Sequence, residues 1–234
     1  MIAFTYLLVN FFTIIISFIF SFHKKINFYR YFKPFIYASI IVAIPFIIWD
    51  IIFTKIGVWW FNMDYTIGVN FFGLPVEEWL FFICIPFACI FTYFCFNKFF
   101  DLNWTNKLTN FIAIFLIALC VIFAIKYHDR LYPLITSIIT GITIFFLRFI
   151  FKVNWIGKGT VVYLVLMLGF LPVNGVLTGT GLASPIVNYN PKEILNLRLL
   201  SIPIEDVFYG YSLFMLNIFF FNFFISKNNS LEKI

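Results

Sequence analysis

The chain has 234 residues, 63% of them hydrophobic and 11% charged, with a mean hydropathy of +1.00. A soluble globular domain carries about 25% charged residues, so the composition excludes a water-soluble domain and requires one that lives in a bilayer. The net charge of +6 comes from basic residues between apolar runs, which sets orientation in a membrane; no nucleic-acid partner is expected.

The first apolar run, residues 2–22, lacks a basic leader and a small-residue cleavage site. It is long enough to span, and reads as a retained helix rather than a signal peptide. Further runs of spanning length lie near 34–54, 77–97, 108–125, 131–150, 159–178 and 204–225, which makes seven helices. The connections after the first, third and fifth helices, with the tail, hold eleven basic residues: Lys24, Lys25, Arg30, Lys33, Lys98, Lys107, Arg148, Lys152, Lys158, Lys227 and Lys233. The other side holds five: Lys55, Lys126, Arg130, Lys192 and Arg198. That asymmetry places the C-terminus in the cytoplasm and the N-terminus outside. The longer connections, 55–76 and 179–203, then lie on the outer side. Cys84, Cys89, Cys95 and Cys120 sit within apolar runs without a CxxC pair or a nearby histidine. They read as small apolar packers, with no disulfide or metal site implied.

Two stretches nearly repeat one another: Leu74-Pro75-Val76-Glu77-Glu78 and Ile202-Pro203-Ile204-Glu205-Asp206, offset by 128 residues. Asp50 and Thr54 match Asn174 and Thr178 at an offset of 124, the difference being a loop four residues longer. Helices one to three therefore correspond to five to seven, and helix four is left over. A three-helix unit ends on the side opposite its start, so one extra crossing lets a tandem copy insert the same way up. The expected fold is an all-α polytopic protein. Its first repeat covers 1–104, a linker helix 105–125, the second repeat 126–226 and a tail 227–234, with a pseudo-two-fold along the membrane normal.

Four of the ten acidic residues fall in those two pairs. Carboxyls in or beside hydrocarbon are costly and mark a functional site by default. A plainer reading exists, because proline suits the first helical turn and acids there gain ~0.3–1 kcal/mol from the helix dipole. Desolvation acts the other way and is the larger effect when burial is complete. Buried pairs would hold a proton to give; wet pairs would not. Adjacent residues point about 100° apart on a helix, so one acid of each pair should face the bundle and the other sit sideways. Asp50 and Asn174 read as site lining or as interhelical glue. Tyr209, four residues after Glu205, should share its face, and Phe81 holds the matching place after Glu77. Both read as pocket lining, with packing and lipid-facing roles as alternatives. Arg198 is either a solvated interface residue or the partner of an acid. His23 and His128 lie in loops on opposite sides, which argues against a shared catalytic or metal role.

The ordered set Asp50…Thr54…Gly57-Val58-Trp59, the first acidic motif with Phe81-Phe82, Pro172-Val173-Asn174-Gly175-Val176-Leu177-Thr178, Tyr189-Asn190-Pro191, and the second acidic motif with Tyr209-Gly210 resembles one family. It is similar to the integral-membrane lycopene cyclases, whose halves occur as two small subunits or fused in one chain. The resemblance covers nearly the whole sequence. It implies acid-catalysed ring closure at the ends of lycopene, giving β-carotene by way of γ-carotene. It also implies lycopene and related linear carotenoids as substrates, a bilayer setting, association with other carotenoid-pathway enzymes, and no cofactor or metal. Catalytic roles carry over to Glu77, Glu78, Glu205 and Asp206, without deciding which acid protonates; Asp50, Asn174, Phe81 and Tyr209, read above as site lining, are the candidate substrate contacts. Extended lycopene is about as long as the bilayer core, roughly 30 Å. A parallel repeat cannot place one acid pair at each face, so one composite site is expected, with the two ends reacting in separate visits. The glycine cluster Gly179-Thr180-Gly181 follows a membrane helix and lacks a third glycine, so no dinucleotide is expected. A prenyltransferase would need Asp-rich motifs to hold magnesium and diphosphate, whereas Asp50 and Asn174 stand alone. The alternative is a seven-helix transporter or receptor using buried acids for proton coupling. No helix reads as broken at mid-span in both halves, although Pro45, Pro86 and Pro172 stand inside spans.

Overall fold

The computed structural model describes residues 2–231, with side chains as far as Lys227; residues 232–234 of the expected tail, Lys233 included, lie outside the described residues. Seven α-helices follow in order: α1 (Thr5–Ser21), α2 (Phe32–Lys55), α3 (Val76–Phe99), α4 (Thr109–Lys126), α5 (Leu131–Phe145), α6 (Ile156–Leu177) and α7 (Glu205–Leu231). With the short helical turns continuous with them, they form seven stretches of 20–28 residues apolar enough to cross a bilayer. The chain is an all-α, multi-pass membrane protein. The second span starts earlier than hydropathy suggests, at Phe28. Asn27 turns the chain in the left-handed region (φ 56°) and a 3-10 turn then leads into α2; asparagine tolerates that conformation because its short side chain bonds locally.

Large apolar side chains cover the outside, where lipid solvates them. On α4, Phe111, Ile114, Phe115, Ile122 and Ile125 are exposed while Ala113 and Cys120 are buried, so α4 stands at the periphery. It packs on α5, and the approach is close: a Cβ on Gly141 would meet Cys120 Cβ at 3.3 Å. The remaining helices pair twice in the same manner. Helix α1 packs on α3 and α5 on α7, while α2 lies against α7 and α6 against α3 across the halves.

Six very short strands organise the two long connections. Strand β1 (Trp59–Phe61) pairs antiparallel with β4 (Val187–Tyr189), Trp59 opposite Tyr189, which ties the connections together at one end of the bundle. Strands β2 (Asn70–Phe71) and β3 (Leu74–Pro75) form a hairpin before α3, and β5 (Arg198–Leu199) and β6 (Ile202–Pro203) form its counterpart before α7. Phe72 and Gly73 in the first turn have φ of 54° and 87°, as a tight two-residue hairpin turn demands. Each hairpin closes with the same backbone bond, Val76 N to Val69 O at 2.9 Å and Ile204 N to Leu197 O at 3.0 Å.

Candidate active site

The two acidic motifs are built alike. A hairpin delivers the chain to the first turn of α3 or α7, and the first acid of each pair reaches back to the loop behind it. Glu77 Oε1 accepts the Ile67 amide at 2.7 Å, and Glu205 Oε1 accepts the Leu195 amide at 2.6 Å. Each bond spans ten residues. The second carboxyl oxygen of both Glu77 and Glu205 is buried without a hydrogen-bond partner. These two acids clip loop to helix.

The second acid of each pair turns into the bundle. Glu78 and Asp206 both line a cavity of ≈ 520 Å³ bounded mainly by α1, α3, α6 and α7, which Asp50, Tyr132 and Tyr189 complete. The lining runs along α3 from Glu78 to Thr92, roughly 21 Å at ~1.5 Å per helical residue. Its walls are apolar and aromatic, with Phe81, Phe170, Tyr209, Leu213 and Phe214 among them, and no Lys, Arg or His lines it among the described residues.

Tyrosines hold the carboxyls. Tyr6 OH of α1 donates to Glu78 Oε2, and Tyr132 OH of α5 donates to Asp206 Oδ1 at 2.6 Å. Asp206 Oδ2 accepts twice more, from Tyr189 OH at 2.9 Å and Asn174 Nδ2 at 2.8 Å. Burial and the neighbouring Asp206 carboxylate push the Tyr189 phenol well above its ordinary value, so it remains a donor through the physiological range. Asp50 is the structural counterpart of Asn174 and lies beside Glu78. Its Oδ1 accepts Trp59 Nε1 at 2.6 Å, while Oδ2 is buried without a hydrogen-bond partner. Trp59 packs edge-on to Tyr132 (centroids 5.1 Å apart), and Tyr132 stacks on Tyr189 (5.9 Å, 16°). One aromatic group thus braces carboxyls from both halves.

Of the residues singled out in the sequence, Glu78, Asp206, Asp50, Asn174, Phe81 and Tyr209 meet at the cavity, and Glu77 and Glu205 stand behind it. The face expected for Tyr209 and Phe81 needs correction. They share a face with Asp206 and Glu78, three residues before them, because the first acid of each pair is rotated toward its loop. Arg198 braces the second hairpin: Nη1 donates to Ser201 O, the guanidinium lies 5.8 Å from the Tyr189 ring centroid, and its positive charge is felt at Glu205. Sequence reasoning missed Tyr6 and Tyr132. Their signal was positional, since each stands early in the first helix of its half, four residues before a polar residue, Asn10 or Thr136. Among the described residues no cluster of His, Cys, Asp and Glu is arranged to hold a metal ion.

Fold and site together define an integral-membrane protein whose acidic side chains open into a cavity for an apolar, lipid-borne molecule. The family model described as lycopene cyclase matches residues 3–96 and 129–224. It does so in two successive segments with α4 between them, and the chain belongs to the lycopene cyclase family. It is an enzyme that cyclises lycopene, built as an internal repeat. Neither the comparison with curated proteins nor that with solved structures finds a match.

Proposed function

We propose that this cyclase converts both ends of lycopene to β-ionone rings, giving β-carotene by way of the one-ring γ-carotene. A carboxyl adds a proton to the terminal double bond, the nearby alkene attacks the resulting cation to close the ring, and a carboxylate removes a ring proton. Substrate and product are isomers, so proton donation and removal balance and nothing else is consumed. The observation that carries the reading is that acids from both repeats, Asp50 and Glu78 of the first and Asp206 of the second, open into the same apolar cavity. Carboxylates and aromatic faces such as Tyr209 and Phe81 favour a developing cation, and among the described residues no lining cation opposes it.

The acids stand at one end of a cavity roughly 21 Å long by helical rise, shorter than a substrate spanning the ~30 Å bilayer core. One end of lycopene therefore enters while the remainder stays in lipid, and each ring needs its own visit. In the bilayer, the N-terminus faces outward and the acid end of the cavity lies toward the outer leaflet, with repeats over 1–104 and 126–226.

Expression in a host that accumulates lycopene, with chromatography of its pigments over time, tests this. β-Carotene should appear after a one-ring intermediate. Absence of cyclic pigment despite folded protein in the membrane would overturn the assignment. A two-ring product with no one-ring intermediate at limiting enzyme would overturn the separate visits.

A further inference from the structure

We infer that the two halves divide the chemistry: the facing Asp50 and Glu78 carboxyls of the first repeat donate the proton, and Asp206 of the second accepts it. This rests on the ring-closure reading above and deepens it.

Equivalent positions in the two repeats are furnished differently. In the second repeat the residue beside the acid is an amide, and Asn174 Nδ2 donates to Asp206 Oδ2. With Tyr132 and Tyr189, three donors converge on two oxygens. A carboxylate offers about four lone-pair sites, so three are filled and one stays open for an incoming proton. Donors aimed at a carboxylate stabilise its ionised form. In the first repeat the equivalent neighbour is a second carboxyl. Asp50 can donate to Glu78, or Glu78 to Asp50, only if one of them carries a proton. The pair's four oxygens receive two donors from outside it, Tyr6 and Trp59; Asp50 Oδ2 is buried and takes no donor from outside the pair, and among the described residues no cation lines the cavity. Two adjacent carboxyls with no counter-charge hold a proton between them, because leaving both ionised and desolvated is far costlier. One half is furnished for an acid and the other for an anion.

The step balances. The proton leaves the Asp50–Glu78 pair and bonds to the terminal alkene carbon, using that π pair and leaving a tertiary cation. The second alkene supplies the pair for the ring carbon–carbon bond and becomes the new cation. Asp206 takes a proton from the adjacent carbon, and the C–H pair becomes the ring double bond. Return of that proton to the first pair resets the site.

The test uses the full-length enzyme in lipid vesicles, with lycopene and with lycopene 1,2-epoxide, whose oxygen protonates far more readily than an alkene. Wild type must first cyclise lycopene; if it does not, the proposed function fails and this assignment with it. With active wild type, Asp50→Asn gives the first half the amide–carboxylate arrangement of the second. It should lower lycopene turnover by ~10²–10⁴-fold, the usual range of general acid catalysis, lower epoxide turnover by less than about tenfold, and leave ring type unchanged. Asp206→Asn should impair both substrates alike, and its residual product should move from β rings to double-bond isomers or water-captured alcohols. Asn174→Asp, nearly isosteric, should show that same product shift, which a merely structural defect would not. Asp50→Asn retaining lycopene turnover, or losing both substrates equally, overturns the donor assignment. Asp206→Asn and Asn174→Asp both keeping the wild-type product pattern overturns the acceptor.

Discussion

At the scale of single residues, the acidic pairs separate into two roles that adjacent positions on a helix make possible. Glu77 and Glu205 spend one oxygen on a loop amide, and Glu78 and Asp206 face the cavity. Glutamine at 77 or 205 keeps an acceptor for that amide and replaces the unpartnered oxygen with an NH2. Glu77→Gln and Glu205→Gln should therefore retain cyclase activity within about tenfold, whereas Glu78→Gln and Asp206→Asn should lose ~10²–10⁴-fold. Alanine at 77 or 205 removes the acceptor of a part-buried loop amide, a loss of ~0.5–1.5 kcal/mol that thermal unfolding in detergent would register. Equal loss of activity in all four conservative variants, at equal protein levels, would contradict the division. The sequence displayed the four acids but could not rank them, because rotation of α3 and α7 about their axes is set by neighbours remote in the chain. The tyrosines were harder to see. Tyr6 and Tyr132 look like ordinary interfacial aromatics until the carboxyls they bond are placed beside them.

At the scale of elements, hydropathy located every span, since ~20 apolar residues have few alternatives to a membrane helix. The strands inside the loops were not legible. Two- and three-residue strands are too short for alternation to register, and β1–β4 pairs residues such as Trp59 and Tyr189 that are far apart in sequence. Those strands nonetheless aim the acids, because each hairpin fixes where α3 or α7 begins. The linker helix is anchored differently. A Cβ on Gly157 at the start of α6 would overlap Thr105 O, in the turn leading into α4, and backbone cannot yield as a flexible side chain does. Gly157→Ala should destabilise the protein by ~1–3 kcal/mol, as overpacking does, while leaving the ring type of the product unchanged. A thermal midpoint equal to wild type would show that the turn before α4 is free to move.

For the whole molecule, duplication leaves one cavity shared between the two halves. Each acid receives a phenol from the first helix of its own repeat, but the cavity is walled by helices from both, with α2 against α7 and α6 against α3. The interface between repeats is thus the cavity itself. A break in the connection between α4 and α5, residues 127–130, severs no interhelical packing of that kind, because His128 is exposed and the chain there only turns. Fragments ending at Tyr127 and beginning at His128, the second with an added start methionine, should each give no cyclic pigment when expressed alone in a lycopene-accumulating host. Expressed together they should restore β-carotene, since helix faces buried across the repeats provide the surface for reassembly. Ring formation by either fragment alone would mean that one acid with its tyrosine suffices for both proton steps. That outcome would remove the reason for coupling two repeats at a shared cavity.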